Sequence, residues 1–365
     1  MKTKVLIIGG GLSGLHTAYS LHQQGIDCLL VEARDRLGGR ILSKHRQQPT
    51  DDATQVAYDL GPAWFWPGQT NLEALVQRLG LVDQIFYQQE SGDALYENAE
   101  GHITRGIQGI SMAGSYRLKG GNVQLITALQ QQLPAQSIHL NTRVKTITSD
   151  GNSILVNVDN DEQQKHIECE QLVIAAPPRV ALQTIDFDPL LSEQRINTLK
   201  QIKTWMAGHA KLLVFYASPF WLNQGFSGDC ISQFGPLHEI HDASPKVGGP
   251  YALFGFLGIP AKNRTHPEPL KQAAIEQLVR LFGEEANDPL EVLYKDWTKD
   301  PFTATALDQE MLNHHPTNDI ENALEAAWNN RLIWSGSETS DGRFNGYLEG
   351  ALEASERTIR LLAAS

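Results

Sequence analysis

The first forty residues constrain this chain more than any other stretch. Residues 4–8 are a lysine followed by Val, Leu, Ile and Ile, the composition of a strand buried on both faces. Gly9-Gly10-Gly11-Leu12-Ser13-Gly14 follows at once and carries G-x-G-x-x-G on Gly9, Gly11 and Gly14. Residues 15–24 read as a helix with Leu15, Ala18, Leu21 and, more weakly, His22 on one side. Gly25 stops it, and residues 27–31 form a second buried strand ending at Glu32. This strand–turn–helix–strand unit is one that binds a dinucleotide. The first glycine permits the tight turn, the second lets backbone N–H groups approach a pyrophosphate, and the third lets the helix pack close to the sheet. Glu32, 18 residues beyond Gly14, is placed to accept hydrogen bonds from a ribose diol. The motif by itself leaves the nucleotide open.

Bulk properties mainly exclude. A chain of 365 residues buries a large core and has room for two interleaved subdomains. A formal charge of −12 argues against a nucleic-acid partner, which wants a basic face. No apolar run approaches the roughly 20 residues that span a bilayer, so no membrane anchor is expected. The first strand starts almost at Met1, so no targeting segment is expected. Cys28, Cys169 and Cys230 are few, odd in number and far apart, as in a reducing compartment, and the expected location is cytoplasmic. His314-His315 lacks a carboxylate at helical spacing, and no metal site is assigned.

Further along, residues 41–44 read as a short strand and 46–55 as a solvent loop. A helix is expected over about 71–79 and β-hairpins over 85–105. Leu118-Lys119-Gly120-Gly121-Asn122 opens a helix running to about 133. Residues 137–147 read as a strand pair around 140–144, and 154–158 with 166–169 as a hairpin. Residues 171–178 are an apolar strand running into Ala175-Ala176-Pro177-Pro178, a way to pass the chain close to a cofactor. After a helix over 192–202 comes an apolar strand over 210–216 that contains Lys211. A lysine there is compensated in the core, snorkels from an edge, or has a function. Further antiparallel strands are expected around Phe234, Leu237 and Ile240 and over 251–257. An amphipathic helix over 267–282, a strand over 290–297, a strand ending in Gly336-Ser337-Glu338 and a helix beginning at Gly346-Tyr347-Leu348 complete the chain. The fold class is α/β: a Rossmann-like nucleotide-binding fold with an interleaved α+β domain containing a mixed or antiparallel sheet.

Several of these pieces carry a resemblance. Glu32-Ala33-Arg34-Asp35-Arg36-Leu37-Gly38-Gly39-Arg40 is similar to the start of the flavoproteins with two dinucleotide-binding domains. Asp59-Leu60-Gly61-Pro62-Ala63-Trp64, the run from Gly120 to Val144, and the Gly336-Ser337-Glu338 and Gly346-Tyr347-Leu348-Glu349-Gly350-Ala351 motifs resemble those of flavin-containing amine oxidases. That family includes monoamine, polyamine and L-amino acid oxidases, and this chain looks like a short form with a reduced substrate domain. The pieces fall in the family's order over nearly the whole chain.

The resemblance implies FAD, bound by Gly9, Gly11, Leu12, Ser13, Gly14, Glu32, Ala33, Arg34, Gly38, Gly39, Arg40, Gly61, Pro62, Ala63, Trp64, Val144, Trp297, Gly336, Glu338 and Leu348. It implies an FAD domain of residues 1–70, 118–190 and 325–365 and a substrate domain of residues 71–117 and 191–324. The activity implied is hydride transfer from the α-carbon of a small-molecule amine to flavin N5, giving an imine, with molecular oxygen then accepting the electrons to form peroxide. Lys211 matches a lysine that holds a water beside N5, and Tyr347 one wall of an aromatic cage for the substrate amine.

Four departures bear on function. The second cage wall is expected some ten residues after Trp297, where the chain reads Ala304-Thr305-Ala306-Leu307, so Trp64, Trp66 or Phe302 would have to supply it. No cysteine lies near Ala306, so FAD is expected to be non-covalent. Only about forty residues separate Leu79 from Gly120, where larger relatives carry a helical insertion, so a more open entrance is expected, with a substrate that is bulky or stays partly outside. Trp64-Phe65-Trp66 stands where amino-acid oxidases carry a carboxylate-clamping arginine, which favours amines, although Arg105, Arg117 or Arg343 would be substitutes. The competing readings are an L-amino acid oxidase, a C–C desaturase of the same fold, and a non-catalytic FAD-binding module.

Overall fold

Four parallel strands that end side by side set the architecture of the computed structural model, which describes residues 1–47, 55–107, 112–160, 163–312, 315–316, 328, 330–340 and 342–364. Lys2–Ile8 lies between Cys28–Val31 and the end of Gln163–Ile174, with Ile8 opposite both Val31 and Ile174. Leu332–Trp334 joins the other edge of the long strand, Trp334 opposite Ile174. The loops that follow these four carboxyl ends, starting at Gly9, Glu32, Ala175 and Ser335, are thereby gathered at one crevice, the place where such sheets bind ligands.

The ends of the parallel strands, residues 5–8, 28–31, 172–174 and 332–334, are apolar because both faces are covered there. Leu15 and Leu21 of helix Leu12–Gln23, Leu125 and Leu129 of Val123–Gln131, and Leu352 of Leu348–Ala363 pack with Val5, Ile7 and Val173. On the other face Leu6, Ile8 and Leu172 meet Val144, Ile147, Val156 and Val158 of the antiparallel strands Thr142–Ser149 and Ile154–Asn160.

The second sheet is mixed, in the order Glu291–Asp296, Ala210–Tyr216, Tyr251–Leu257, Leu237–Asp242, Phe226–Ser232, Asp93–Glu97, Ile103–Arg105. All seven residues of Ala210–Tyr216 are buried. Leu212, Val214 and Tyr216 pack with Leu278, Leu281 and Phe282 of helix Pro267–Phe282, while Leu213 and Phe215 meet Val56, Tyr58 and Phe254. Lys211 is therefore no edge residue: it pairs with Phe256 on one side and Lys295 on the other and is 2% exposed.

Several local expectations are corrected. The strand expected over 41–44 is Ser43–Gln47, which pairs with Gln55–Asp59; residues 48–54 of the expected loop lie outside the described residues. Of the hairpins expected over 85–105, only Asp93–Glu97 with Ile103–Arg105 forms, because Ile85–Tyr87 pairs instead with Tyr116–Leu118. Residues 137–147 make no strand pair. Asn141, at φ 51, turns the chain between Ile138–His139, paired to Cys28–Val31, and Thr142–Ser149, paired to Ile154–Asn160. The strands expected at 166–169 and 171–174 are one, Gln163–Ile174. Phe226–Ser232 is an unforeseen strand, since Ser227 and Asp229 break its apolar pattern, and Phe234 lies in the turn after it.

Candidate active site

A cavity of about 400 Å³ runs from the ends of the parallel strands to the inner face of the second sheet. Every position named above as cofactor-binding, substrate-binding or catalytic lines it except Gly14. Gly14 stands behind the turn, where a Cβ would lie 2.0 Å from the Gly9 carbonyl oxygen, so it serves helix–strand packing rather than contact.

At the dinucleotide end, Glu32 is 3% exposed and is fixed by backbone donors: Gly10 N–H to Oε2 at 2.7 Å and Arg34 N–H to Oε1 at 2.9 Å. Each oxygen keeps acceptor capacity for a ligand. Arg34 donates to Asp300 Oδ1 at 2.6 Å and Thr303 Oγ1 at 3.1 Å, and its guanidinium lies 5.2 Å from the Phe302 ring. Phe302 thus belongs to this end and is no cage wall. Arg36 donates to the carbonyls of Leu37, Gly39 and Ile41, holding the Gly38-Gly39 loop in shape.

The two chain ends meet at the middle of the cavity. Ser13 Oγ lies 2.8 Å from Ser335 Oγ and accepts the Gly336 N–H at 3.0 Å. Arg40 forms a two-point ion pair with Glu338 and also donates to Ser337 Oγ at 2.9 Å and Trp205 O at 3.2 Å.

At the far end Lys211 donates to the carbonyls of Asp59 at 2.7 Å and Gly61 at 3.3 Å, with Nζ 4.0 Å from the Phe254 ring centroid. Burial pulls its ammonium down to about 7, against the raising field of Asp59. The Asp59 carboxyl is itself pushed up by burial, opposed by hydrogen bonds from Ser43 and the Asn122 N–H. Tyr347 has Trp66 edge-on at 6.2 Å, and His315 stacks on it at 4.8 Å and 21°. His315 belongs to the histidine pair at which no metal site is expected; its neighbour His314 lies outside the described residues. Trp64 sits at the sheet side instead, its indole N–H donating to Gln88 Oε1 at 2.9 Å and its ring edge-on to His241. Trp297 donates to Leu60 O at 3.2 Å, and Val144 adjoins a register shift between Val144 and Thr146.

None of Arg105, Arg117 and Arg343 lines the cavity. Arg105 is paired with Asp93 at the surface, and Arg117 is buried with the carbonyls of Ala243 and Ser244 as acceptors. Lining residues that sequence reasoning missed include Arg143, Thr303, Trp205, Met206, His209, Glu239 and Phe256. His209 is two residues from Lys211 in the chain, whereas Glu239 is brought to Lys211 only by the pairing of strands. Among the described residues no group of three or more His, Cys, Asp or Glu is arranged to hold a metal.

The residues present fit FAD. Gly11 lines the cavity, yet a Cβ there would meet no protein atom within 4 Å, so the position is open to a ligand and not required by packing. Gly9 and Ser13 at the start of helix Leu12–Gln23, with Glu32 opposite, suit a pyrophosphate and a ribose. A dinucleotide turn joined by one cavity to a ring-lined pocket with a buried lysine marks the class: a flavin-dependent oxidoreductase.

Comparison with known proteins makes the class specific. The family model for flavin-containing amine oxidoreductases matches residues 97–361, and that for NAD(P)-binding Rossmann-like domains matches residues 7–79. Flavin-containing amine oxidase B of Sus scrofa is 23% identical over 465 residues, covering 98% of this chain and 86% of its own. Flavin-containing amine oxidase A of Equus caballus is 23% identical over 455 residues, covering 98% and 84%. In three dimensions the chain is similar to a wild-type putrescine oxidase bound to putrescine (TM-score 0.80, 19% identity, 100% of both chains). It is also similar to cyclohexylamine oxidase from Brevibacterium oxydans (TM-score 0.81, 20% identity, 99% of both chains). The chain belongs to the flavin-containing amine oxidoreductase family. It is an FAD-dependent enzyme that oxidises amines.

Proposed function

We propose that this enzyme oxidises a small-molecule amine with molecular oxygen as acceptor, using non-covalently held FAD. The observation that carries the proposal is the single cavity joining the Gly11–Glu32 turn to Lys211 and Tyr347. Bound FAD supplies the two-electron chemistry, accepting a hydride from the substrate α-carbon and yielding the electrons to oxygen. The rings of Tyr347 and Trp66 confine the substrate and exclude water, which favours the neutral amine whose C–H bond is the better hydride donor. Lys211, with carbonyls of Asp59 and Gly61 as acceptors, keeps donor capacity for a water or for charge developing on oxygen. The lack of a cavity-lining substitute among Arg105, Arg117 and Arg343 favours amines over α-amino acids.

The division into an FAD domain (1–70, 118–190, 325–365) and a substrate domain (71–117, 191–324) belongs to the same proposal. It is supported by the two sheets, whose strands fall separately in those spans. Among the described residues no helix is long and apolar enough to cross a membrane. With three free, buried cysteines, we assign the protein to the cytoplasm.

The test is to purify the protein, record its flavin spectrum, and add amines and amino acids without air. Bleaching by amines, recovery of colour on admitting air, and release of the flavin on acid precipitation are expected. Flavin that stays with the precipitate contradicts non-covalent binding, and bleaching by amino acids alone favours the amino-acid oxidase reading.

A further inference from the structure

Three carboxylates line the cavity, and two have partners that account for them. Glu32 is fixed by backbone N–H groups, and Glu338 by Arg40. Glu239 differs. Its carboxylate is held from behind, Oε1 lying 2.7 Å from His241 Nε2, while His241 Nδ1 lies 2.6 Å from Asp229 Oδ1. His241 and Asp229 are fully buried, whereas the Glu239 side chain keeps 26% exposure at the cavity.

The local fold explains why the carboxylate faces inward. Between Leu237 and Glu239 the register shifts: Leu237 pairs with Leu257 but Glu239 with Phe256, so His238 is the extra residue of a bulge. Leu237 and Ile240 therefore both reach the helix-side core, and Glu239 and His241 turn to the other face. Phe256 in turn pairs with Lys211. Glu239, Phe256 and Lys211 form one row across three strands, all lining the cavity, with roughly 10 Å between the outer two at ~4.8 Å per strand.

Two carboxylates flank one imidazole. Although burial works against it, hydrogen bonds to Asp229 and Glu239 hold His241 above its ordinary value. The other titratable groups facing Glu239 are His209, His238 and Lys211. Among the described residues His241 is its one ion-pair partner, and the Lys211 ammonium is turned to the carbonyls of Asp59 and Gly61. His209, on the cavity wall and edge-on to Phe256 at 6.2 Å, is pulled down to about 4 by burial and stays neutral. Its Nδ1 is buried at the same end with no hydrogen-bond partner among the described residues.

Resting on the reading of this site as an amine oxidase, we propose that Glu239, backed by His241 and Asp229, is a cation subsite that selects primary amines carrying a second positive charge. One amine lies at the Tyr347 end. The other reaches Glu239 over a short alkyl chain packed on Phe256.

The experiment compares α,ω-diamines of three, four and five carbons with the monoamines and amino alcohols of equal length, on the wild-type holoenzyme, by anaerobic flavin bleaching and by steady-state kcat/KM. Diamines are expected to exceed both neutral-tailed series at least tenfold, mainly through KM, and Glu239→Gln is expected to collapse that ratio at unchanged flavin content. Monoamines reacting as well as diamines, or a ratio that survives Glu239→Gln, overturns the subsite alone. A flavin that no amine bleaches overturns the amine oxidase reading and the subsite with it.

Discussion

Arg40 and Glu338, 298 residues apart in the chain, meet in a two-point ion pair, Nη1 to Oε1 at 2.6 Å and Nη2 to Oε2 at 2.8 Å. Glu338 is 1% exposed, and Arg40 also holds Ser337 Oγ and Trp205 O. The pair therefore ties the N-terminal Gly-Gly-Arg loop to the C-terminal Gly-Ser-Glu turn at the middle of the cavity. Removing one partner of such a pair leaves the other charge uncompensated. Glu338→Gln is expected to cost about 2–3 kcal/mol, allowing for the part-exposure of Arg40, and to lower the Tm of this 365-residue chain by roughly 3–4 °C. A thermal scan in which Tm moves by less than a degree would show the pair to be screened by solvent.

Gly11 separates ligand contact from packing. Its φ of −75° suits any residue, and a Cβ there meets no protein atom. Gly11→Ala should therefore fold with stability unchanged or raised by about 0.4–1 kcal/mol, yet lose FAD affinity at least tenfold. Gly14→Ala should do the reverse, with a Cβ 2.0 Å from the Gly9 carbonyl destabilising the fold itself. Urea melts of the apoprotein and flavin titration of both variants distinguish the two; equal flavin affinity in Gly11→Ala and wild type would remove the pyrophosphate from this turn.

Lys211 gives a pH signature. With its ammonium pulled to about 7, it is protonated below that pH and neutral above it. If its charge assists oxygen, reoxidation of the reduced enzyme slows as pH rises through 7. Lys211→Met should be slow, by roughly ten- to hundredfold, and flat over the same range. Stopped-flow mixing with oxygenated buffer at pH 6 to 8 reads both; a variant as fast as wild type would falsify the role.

His16 makes stability depend on pH. It is 3% exposed in the helix that starts at the glycine turn, its Nδ1 2.9 Å from Ser355 Oγ, and burial followed by the field of Arg78 pulls it from 6.5 to about 4. The unfolded chain takes up that proton near pH 6.5 and the folded chain only near 4, so falling pH favours unfolding across that window. The loss attributable to His16 is on the order of 3 kcal/mol, complete near pH 4 and absent above 6.5. His16→Gln should flatten the difference between urea melts at pH 7 and pH 4.5 relative to wild type.

The dinucleotide unit was legible because each of its parts is local. A buried strand, a glycine turn, an amphipathic helix and a terminal acid lie within about thirty residues, and each has its own pattern. The strand Ala210–Tyr216 and the helix Pro267–Phe282 were legible for the same reason. The short strands around 85 and 138 form neither the hairpin nor the strand pair that their sequence suggests, because nearness in sequence is a poor guide to partners. Ile85–Tyr87 waits for Tyr116–Leu118, and a turn at Asn141 sends adjacent strands to different neighbours.

What the sequence determined by itself is the flavin end of the molecule, since turns that cradle a phosphate need glycine and a helix start in fixed order. It also set the family order of pieces down to Tyr347. Only the tertiary structure decided the substrate end. Lys211 could have lain at an edge, and two flanking strands bury it instead. Glu239 and His241 look in sequence like the solvated face of a strand. A one-residue bulge and the pairing of three strands turn them inward, toward Lys211, and cross-strand register is carried by no single segment of chain.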